Sequence, residues 1–573
     1  MSQKGVTRGG GSLFSDDGPD GLLHRAFLRG EGFSADDVRK SPVIGVATSW
    51  SELNPCNAGL RDVAAAVKRG IASRGGIGLE FPTISLSEPF TRPTSMFLRN
   101  LMSMDVEEMI ASSPVDGVVL LAGCDKTVPA QLMGAISADK PAIMVVAGPR
   151  PGSCWKNEPL TIDDVWPLIG QRRIGAMDDA GWLELEGTLN TGVGSCNVLG
   201  TATTMAAIAE VLGFALPGSS LHPAGSAERL AVAEAAGVAV VDSITRGAGA
   251  ASMITERSLE NAFRVVCALG GSTNAVVHLE AIAGRAGISL GVDRLREWAN
   301  STPLLTDVRP SGTHMLADFE RAGGIPALLR ELESVLDLSV STATGEPWSA
   351  SLPVPTTDAS LHHFADPVSF EGGIAILTGS LAPGGAVLKT SASGMRTHRG
   401  PALVFDGVAD LNARIDSDDL VVDANTVMIL RGVGMRGGPG MPEVGHIPIP
   451  ARLARAGVTD MMRITDARMS GTATGTVIVH VTPESAIGGP LSLVQDGDLI
   501  DIDVMAGRID LLVDPADLSR RTPSVAAETP ARGYGWLSAQ HVLQPDRGGD
   551  FDFLRKDFRP TSGKLGSAGG SHA

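Results

Sequence analysis

The chain has 573 residues, 43% hydrophobic and 19% charged, which describes an ordinary globular protein too long for one core, so two or more domains are expected. Its formal charge of −17 argues against nucleic acid and anionic membranes as partners, since both attract basic surfaces. No apolar run reaches ~18 residues, and the opening MSQKGVTRGGGSLFSDDG lacks the apolar stretch of a secretion signal, so neither a membrane span nor export is expected.

Residues 1–20 and the tail 560–573 are expected to be mobile ends. Between 41 and about 290, short apolar runs at 43–47, 115–121, 142–147 and 238–241 read as strands. Helical stretches at 59–73, 201–212 and 227–236 alternate with them. This alternation predicts a mostly parallel sheet with helices on its faces. A Pro/Ser/Thr-rich stretch at 339–357 reads as the approach to an interdomain linker. Beyond about Phe370, strands are expected at 402–408, 420–430 and 476–481, and a hairpin over 499–513 turns at Ala506–Gly507. The expected architecture is therefore an α/β domain over 1–368, followed by a β-rich, barrel-like domain over 369–573.

The five cysteines (Cys56, Cys124, Cys154, Cys196, Cys267) are too scattered for a disulfide framework, which points to free thiols in a reducing cytoplasm. Cys124 lies in Gly-Cys-Asp-Lys at 123–126, directly after the strand 115–121. Ligands of open α/β sheets bind beyond the carboxyl ends of the strands. A soft thiolate, the hard carboxylate of Asp125 and Lys126 in a row point to two inorganic centres at one pocket. Cys56, in NPCN, follows the strand 43–47. Cys196, in GSCN, precedes the helix at 201, whose N-terminus is expected to lower the thiol's pKa. Three converging thiolates would leave one iron of an iron–sulfur cluster open to substrate. Cysteines also pack as small buried hydrophobes. That is the preferred account of Cys154 and Cys267, and at this point it stands as an alternative for the other three.

Glu88, in SLSEP, and Asp125 are candidate Mg²⁺ ligands, because Mg²⁺ takes few carboxylates and keeps waters that a substrate can displace. Lys126 is either an ion-pair lysine or, if carbamylated, a further carboxylate-like ligand. In the second domain, the glycine-proline loop 436–445 (RGGPGMPEVG) carries one acid, Glu443, and TDARMSG at 465–471 places Ser470 beside Gly471. Such a serine is ordinarily a turn residue; with a cation beside it, its alkoxide becomes a base.

Together NPCN (54–57), GCDKTVPAQLMGA (123–135), TGVGSCNVLGTATTM (191–205), GGSTNAVVHL (270–279), GGPGMPEVG (437–445), TDARMSGT (465–472) and GGPLSLVQDGD (488–498) resemble, in order, the dihydroxy-acid/sugar-acid dehydratase family, which includes 6-phosphogluconate dehydratase. The resemblance implies a [2Fe–2S] cluster on Cys56, Cys124 and Cys196. It also implies Mg²⁺ on Glu88, Asp125, carbamylated Lys126 and Glu443, with Ser470 as the alkoxide base. An α/β domain with a swivel-like β-barrel domain, in homodimers or homotetramers, comes with it. SLSEPFTRPTSMFLRNL (85–101) and TDARMSG look like the sugar-acid branch, while Val128 departs from the threonine of GCDKTTPA. The expected activity is dehydration of a small sugar acid to a 2-keto-3-deoxy acid. The alternatives are branched-chain dihydroxy-acid dehydration and a non-catalytic iron–sulfur or metal-sensing protein.

Overall fold

The computed structural model describes residues 11–354, 358–523 and 529–559. Four parallel strands, β1 (Val43–Thr48), β2 (Ile77–Pro82), β3 (Gly117–Ala122) and β4 (Ala142–Val146), form a sheet in the order β2-β1-β3-β4. The central strands β1 and β3 are buried along their whole length, as continuous apolar runs covered on both faces must be. Helices Leu60–Ser73 and Ala227–Arg246 cover one face, packing on Ile44, Val46 and Val119. Helices Ser95–Ser112 and Thr127–Ala138 lie on the other, against Val118 and Leu120.

The run 238–241 is not a strand: it continues the helix Ala227–Arg246. Its helix crosses Leu60–Ser73 with the two backbones nearly touching, since a Cβ on Gly237 would lie 2.2 Å from the Val67 carbonyl. That close packing buries the apolar side chains that the sequence offers to a strand.

A short hairpin, β5 (Ser153–Trp155) with β6 (Glu158–Leu160), carries Cys154 outward, so this cysteine is exposed rather than packed; Cys267 is buried inside the helix Glu256–Leu269, as expected. Residues 11–20 are not a loose end. They form the helix Gly11–Ser15 and open the helix Pro19–Gly30, with Phe14 buried and its carbonyl accepting from Arg25. Residues 1–10 and 560–573 lie outside the described residues. The stretch 339–354 packs on the first sheet's helices, with Trp348 fully buried and its indole N–H on the Val211 carbonyl at 3.1 Å; residues 355–357 lie outside the described residues.

The second sheet contains β7 (Ala375–Leu377), β8 (Gly385–Leu388), β9 (Thr397–Asp406), β10 (Val427–Arg431), β11 (Arg463–Thr465), β12 (Val477–Thr482), β13 (Leu499–Asp503) and β14 (Arg508–Leu511). Its order is β14-β13-β9-β10-β11-β12-β8-β7, with β9 to β12 parallel and the rest antiparallel. The edge strands meet at Thr378 and Arg508, where the Thr378 N–H donates to Gly507 O at 2.9 Å, giving a nearly closed barrel-like sheet. The expected strand 420–430 is confined to Val427–Arg431, because residues 423–426 turn around the Asp423 side chain, which accepts from Asn425 N at 2.9 Å. Leu388, Ile429, Ile478 and Ile500 fill the barrel. Outward-facing Val387, Val477 and Val479, with Met469 and Ala473, join the first domain's core. The barrel thus presents the turn after β11 to the carboxyl edge of the parallel sheet. Among the described residues no helix is long and apolar enough to cross a membrane.

Candidate active site

The three loop thiols gather beyond the carboxyl ends of β1, β3 and β4. Asn57 ties the first two loops together: its amide donates to Ser49 O at 3.0 Å and its oxygen accepts from Cys124 N at 3.1 Å. Only glycine fits at 123, where a Cβ would lie 2.4 Å from Ala147 Cβ and 2.9 Å from Cys56 O. The Cys196 loop is laid beside both, with Gly194 N–H on Pro55 O at 3.1 Å and Ser195 N–H on Gly148 O at 2.9 Å. A thiol–thiol hydrogen bond to Cys56, together with burial, pushes the Cys124 pKa well up. Burial also pushes Cys196 up to about 12, outweighing the neighbouring Arg150. The expected lowering by the helix at Thr201 is not what the surroundings produce: without a metal, enclosure dominates.

Next to the thiols, Asp125 and Lys126 lead into the helix Thr127–Ala138. The fully buried Lys126 ammonium lies 2.5 Å from Asp125 Oδ2, 3.1 Å from Glu443 Oε1 and 3.7 Å from Glu88 Oε2. Residues from three distant parts of the chain therefore meet at one point. Burial raises the Glu88 pKa, but Lys126, Arg468 and the hydroxyls of Ser95 and Thr94 bring it down to about 2. Glu443, more deeply enclosed, is raised by burial despite Lys126 and Arg468. Burial and Arg468 lower Lys126, yet the three carboxylates carry it above the usual lysine value. Among the described residues no group of three or more His, Cys, Asp or Glu stands at metal-holding spacing. The three carboxylates close on the Lys126 ammonium, the cation at their centre.

Several residues without an assigned role in the motifs prove to shape this cluster. Arg468, fully buried, donates to Glu443 Oε1 at 2.8 Å and to Thr94 Oγ1 at 3.0 Å, while Asn274 Nδ2 donates to the same Glu443 oxygen at 2.8 Å. Thr94 and Ser95, at the start of the helix Ser95–Ser112, donate to the Glu88 carboxylate. Arg468 and Asn274 stand within TDARMSG and GGSTNAVVHL, and a cation within the acid-bearing half of the motif set was the available signal. The loop carrying Glu443 is seated so closely on the helix Ser95–Ser112 that a Cβ on Gly440, at φ 82°, would lie 2.4 Å from Phe97 N.

Ser470 is half-buried on the turn after β11. Its hydroxyl lies 2.8 Å from Thr472 Oγ1, which accepts the Trp166 indole N–H at 2.9 Å. Gly471 wedges this turn against the first domain: a Cβ there would lie 2.8 Å from both Thr201 N and Ser272 Oγ. From there Thr201 and Asn274 lead to Glu443, the Asn274 amide donating to Thr201 Oγ1 at 3.0 Å. Asp466, in the same motif, is structural: it accepts from Val433 N at 3.1 Å and Ser485 N at 2.9 Å.

Residues 41–351 match the family model described as dihydroxy-acid/6-phosphogluconate dehydratase N-terminal, and residues 359–549 match its C-terminal counterpart. The chain is 43% identical over 552 residues to 6-deoxy-6-sulfo-D-gluconate dehydratase of Pseudomonas putida, covering 95% of each. It is 42% identical over 557 residues to L-arabonate dehydratase of Azospirillum brasilense, covering 94% of this chain and 96% of the other. With dihydroxy-acid dehydratase 1 of Nocardia farcinica it shares 39% over 523 residues, or 88% and 91% of the two chains.

Proposed function

The chain belongs to the dihydroxy-acid/6-phosphogluconate dehydratase family, and from that premise we propose a hydro-lyase that converts an aldonic acid to a 2-keto-3-deoxy acid. The observation that carries the reading is the meeting of three thiols, three carboxylates and the Ser470 turn at one sheet edge.

The donor chemistry supports the family's two inorganic centres. Cys56, Cys124 and Cys196 would hold a [2Fe–2S] cluster, since the enclosed Cys124 and Cys196, raised by burial and by their neighbours, would be relieved by binding metal as thiolates beside Cys56. Glu88, Asp125 and Glu443 would hold Mg²⁺ once carbamylation removes the Lys126 ammonium and supplies another oxygen donor. When bound, these groups would supply Lewis acidity toward the C3 hydroxyl and toward the carboxylate with its C2 hydroxyl.

The chain's own residues do the rest. Ser470, as its alkoxide, takes the C2 proton; the C2–H electron pair forms the C2=C3 bond as hydroxide leaves C3, and the enol tautomerises to the ketone. Arg468 and Asn274 hold Glu443 in place from two sides. The apolar contact between barrel and first domain excludes water around the turn. We further assign the two domains to 1–368 and 369–573, and the working form to a cytoplasmic homodimer or homotetramer without nucleic-acid or membrane partners.

A panel of five- and six-carbon aldonic acids beside 2,3-dihydroxyisovalerate, given to anaerobically purified enzyme and read as 2-keto product, tests this assignment. Higher kcat/KM on an aldonic acid is expected. The relatives that act by name on dihydroxy acids keep the branched-chain reading alive, and a clear preference for 2,3-dihydroxyisovalerate would establish it instead.

A further inference from the structure

Lys389 follows β8 and is 1% exposed. Its ammonium donates to the carbonyl oxygen of Gly471 at 3.2 Å. Among the described residues it has no carboxylate partner: Asp163, the acid it feels, is engaged by Arg309 at 3.1 Å. Burial draws its pKa down to about 8, the mark of a cation with few compensating contacts. An enclosed, unpaired ammonium costs stability that a methionine of similar length would not.

The turn it touches is the one that carries Ser470. Behind the same turn stands Thr201 N, at the start of an eleven-residue helix, in a position 2.8 Å from where a Gly471 Cβ would be. A helix N-terminus carries partial positive charge. In front, Thr472 Oγ1 accepts the Trp166 N–H, leaving its own hydrogen free to point at Ser470 Oγ, 2.8 Å away. The Thr472 N–H also donates to Ser470 Oγ at 3.4 Å, so both Thr472 contacts suit a serine oxygen that accepts hydrogen bonds.

We propose that Lys389 is a positioning residue for the Ser470 base: its ammonium pins the Gly471–Thr472 peptide next to the serine and sets positive charge at that turn, favouring the Ser470 alkoxide. This rests on Ser470 being the base. The test uses iron- and magnesium-loaded enzyme, the fastest aldonic acid of the panel, and two readouts: steady-state turnover and exchange of the substrate C2 hydrogen in D₂O. Lys389→Met should lose roughly 10²-fold in kcat, the scale of losing one preorganised donor, with KM within about threefold and C2 exchange slowed in parallel. Visible absorbance and thermal midpoint should be unchanged or raised. Lys389→Arg, which keeps charge and donor, should recover at least about tenfold over Lys389→Met.

A Lys389→Met enzyme with wild-type kcat, or a folded Lys389→Arg as slow as Lys389→Met, overturns the proposal. Should Lys389→Met fail to fold, Lys389→Gln takes its place in the comparison with Lys389→Arg, and equal rates overturn it. Ser470→Ala, measured alongside, separates the two claims. If Ser470→Ala keeps its kcat, the base assignment itself fails. If Ser470→Ala is inactive while Lys389→Met is not, only the role of Lys389 falls.

Discussion

Lys126 shows at the scale of one residue why the cluster needs a cation. Three carboxylates crowd around its buried ammonium, and the positive charge that balances them comes from that ammonium and Arg468. Removing the positive charge by carbamylation without supplying another would leave like charges crowded in a low-dielectric pocket. Cys124 and Cys196 present the reverse problem, since enclosure pushes their pKa values up and disfavours the bare thiolates that a metal would stabilise. Cys56→Ser, Cys124→Ser and Cys196→Ser should therefore each strip most of the iron and visible absorbance, whereas Cys154→Ser, on an exposed hairpin, and Cys267→Ser, within a helix, should retain both. Equal iron in all five variants would show that the three loop thiols are merely packed side chains. Glu443, Ser470 and the three cysteines could be singled out in the sequence because each stands in a motif marked by glycine or asparagine. Lys389 could not, because what distinguishes it is a contact with Gly471, 82 positions away.

At the scale of elements, the same distinction decides what the sequence reveals. Strands β1, β3 and β4 were legible because a parallel sheet covered on both faces must be written as apolar runs between glycine-marked turns. The run 238–241 is equally apolar but belongs to a helix, which lays it over the sheet and against the neighbouring helix at Gly70 and Gly237 instead of pairing it as a strand. Residues 423–426 look extended until the Asp423 side chain captures the backbone. The Gly237 contact gives a quantitative test. A methyl there would lie 2.2 Å from Val67 O and 2.9 Å from Ile71 N, both backbone atoms that cannot rotate away. Gly237→Ala should destabilise the protein by about 1–3 kcal/mol in chemical denaturation, the usual cost of overpacking. Gly170→Ala, inside the helix Val165–Arg173 with nothing within 4 Å, should instead stabilise by about 0.5–1 kcal/mol. If both changed stability alike, helix propensity and not the close crossing would set the effect at 237.

For the whole molecule, the part of the chain beyond the barrel returns to the first domain and braces the helices that hold the site. The Asp550 carboxylate meets Arg285 at 2.7 Å and 3.2 Å with both side chains wholly enclosed. Arg285 also donates to Ser103 at 2.7 Å and to Ser137 at 3.0 Å. One guanidinium thereby joins the helices Ser95–Ser112, Thr127–Ala138 and Asn274–Ala286, which start beside Glu88, Lys126 and Glu443 respectively. Nearby, Arg99 donates to Gly548 O at 2.8 Å, and Gly548 is so close to Ala281 that a Cβ would lie 2.4 Å from its nitrogen. Removing one member of a buried ion pair leaves the other charge uncompensated, which costs about 3–5 kcal/mol. Asp550→Ala should lose about that much in denaturant unfolding, because the Arg285 charge then has, among the described residues, only the Glu107 carboxylate at 3.2 Å as an ion-pair partner. Arg285→Met combined with Asp550→Ala should be less destabilised than Asp550→Ala alone, since no buried charge is then stranded. Additive losses in the double variant would mean that the returning segment is held by its backbone contacts and not by this pair.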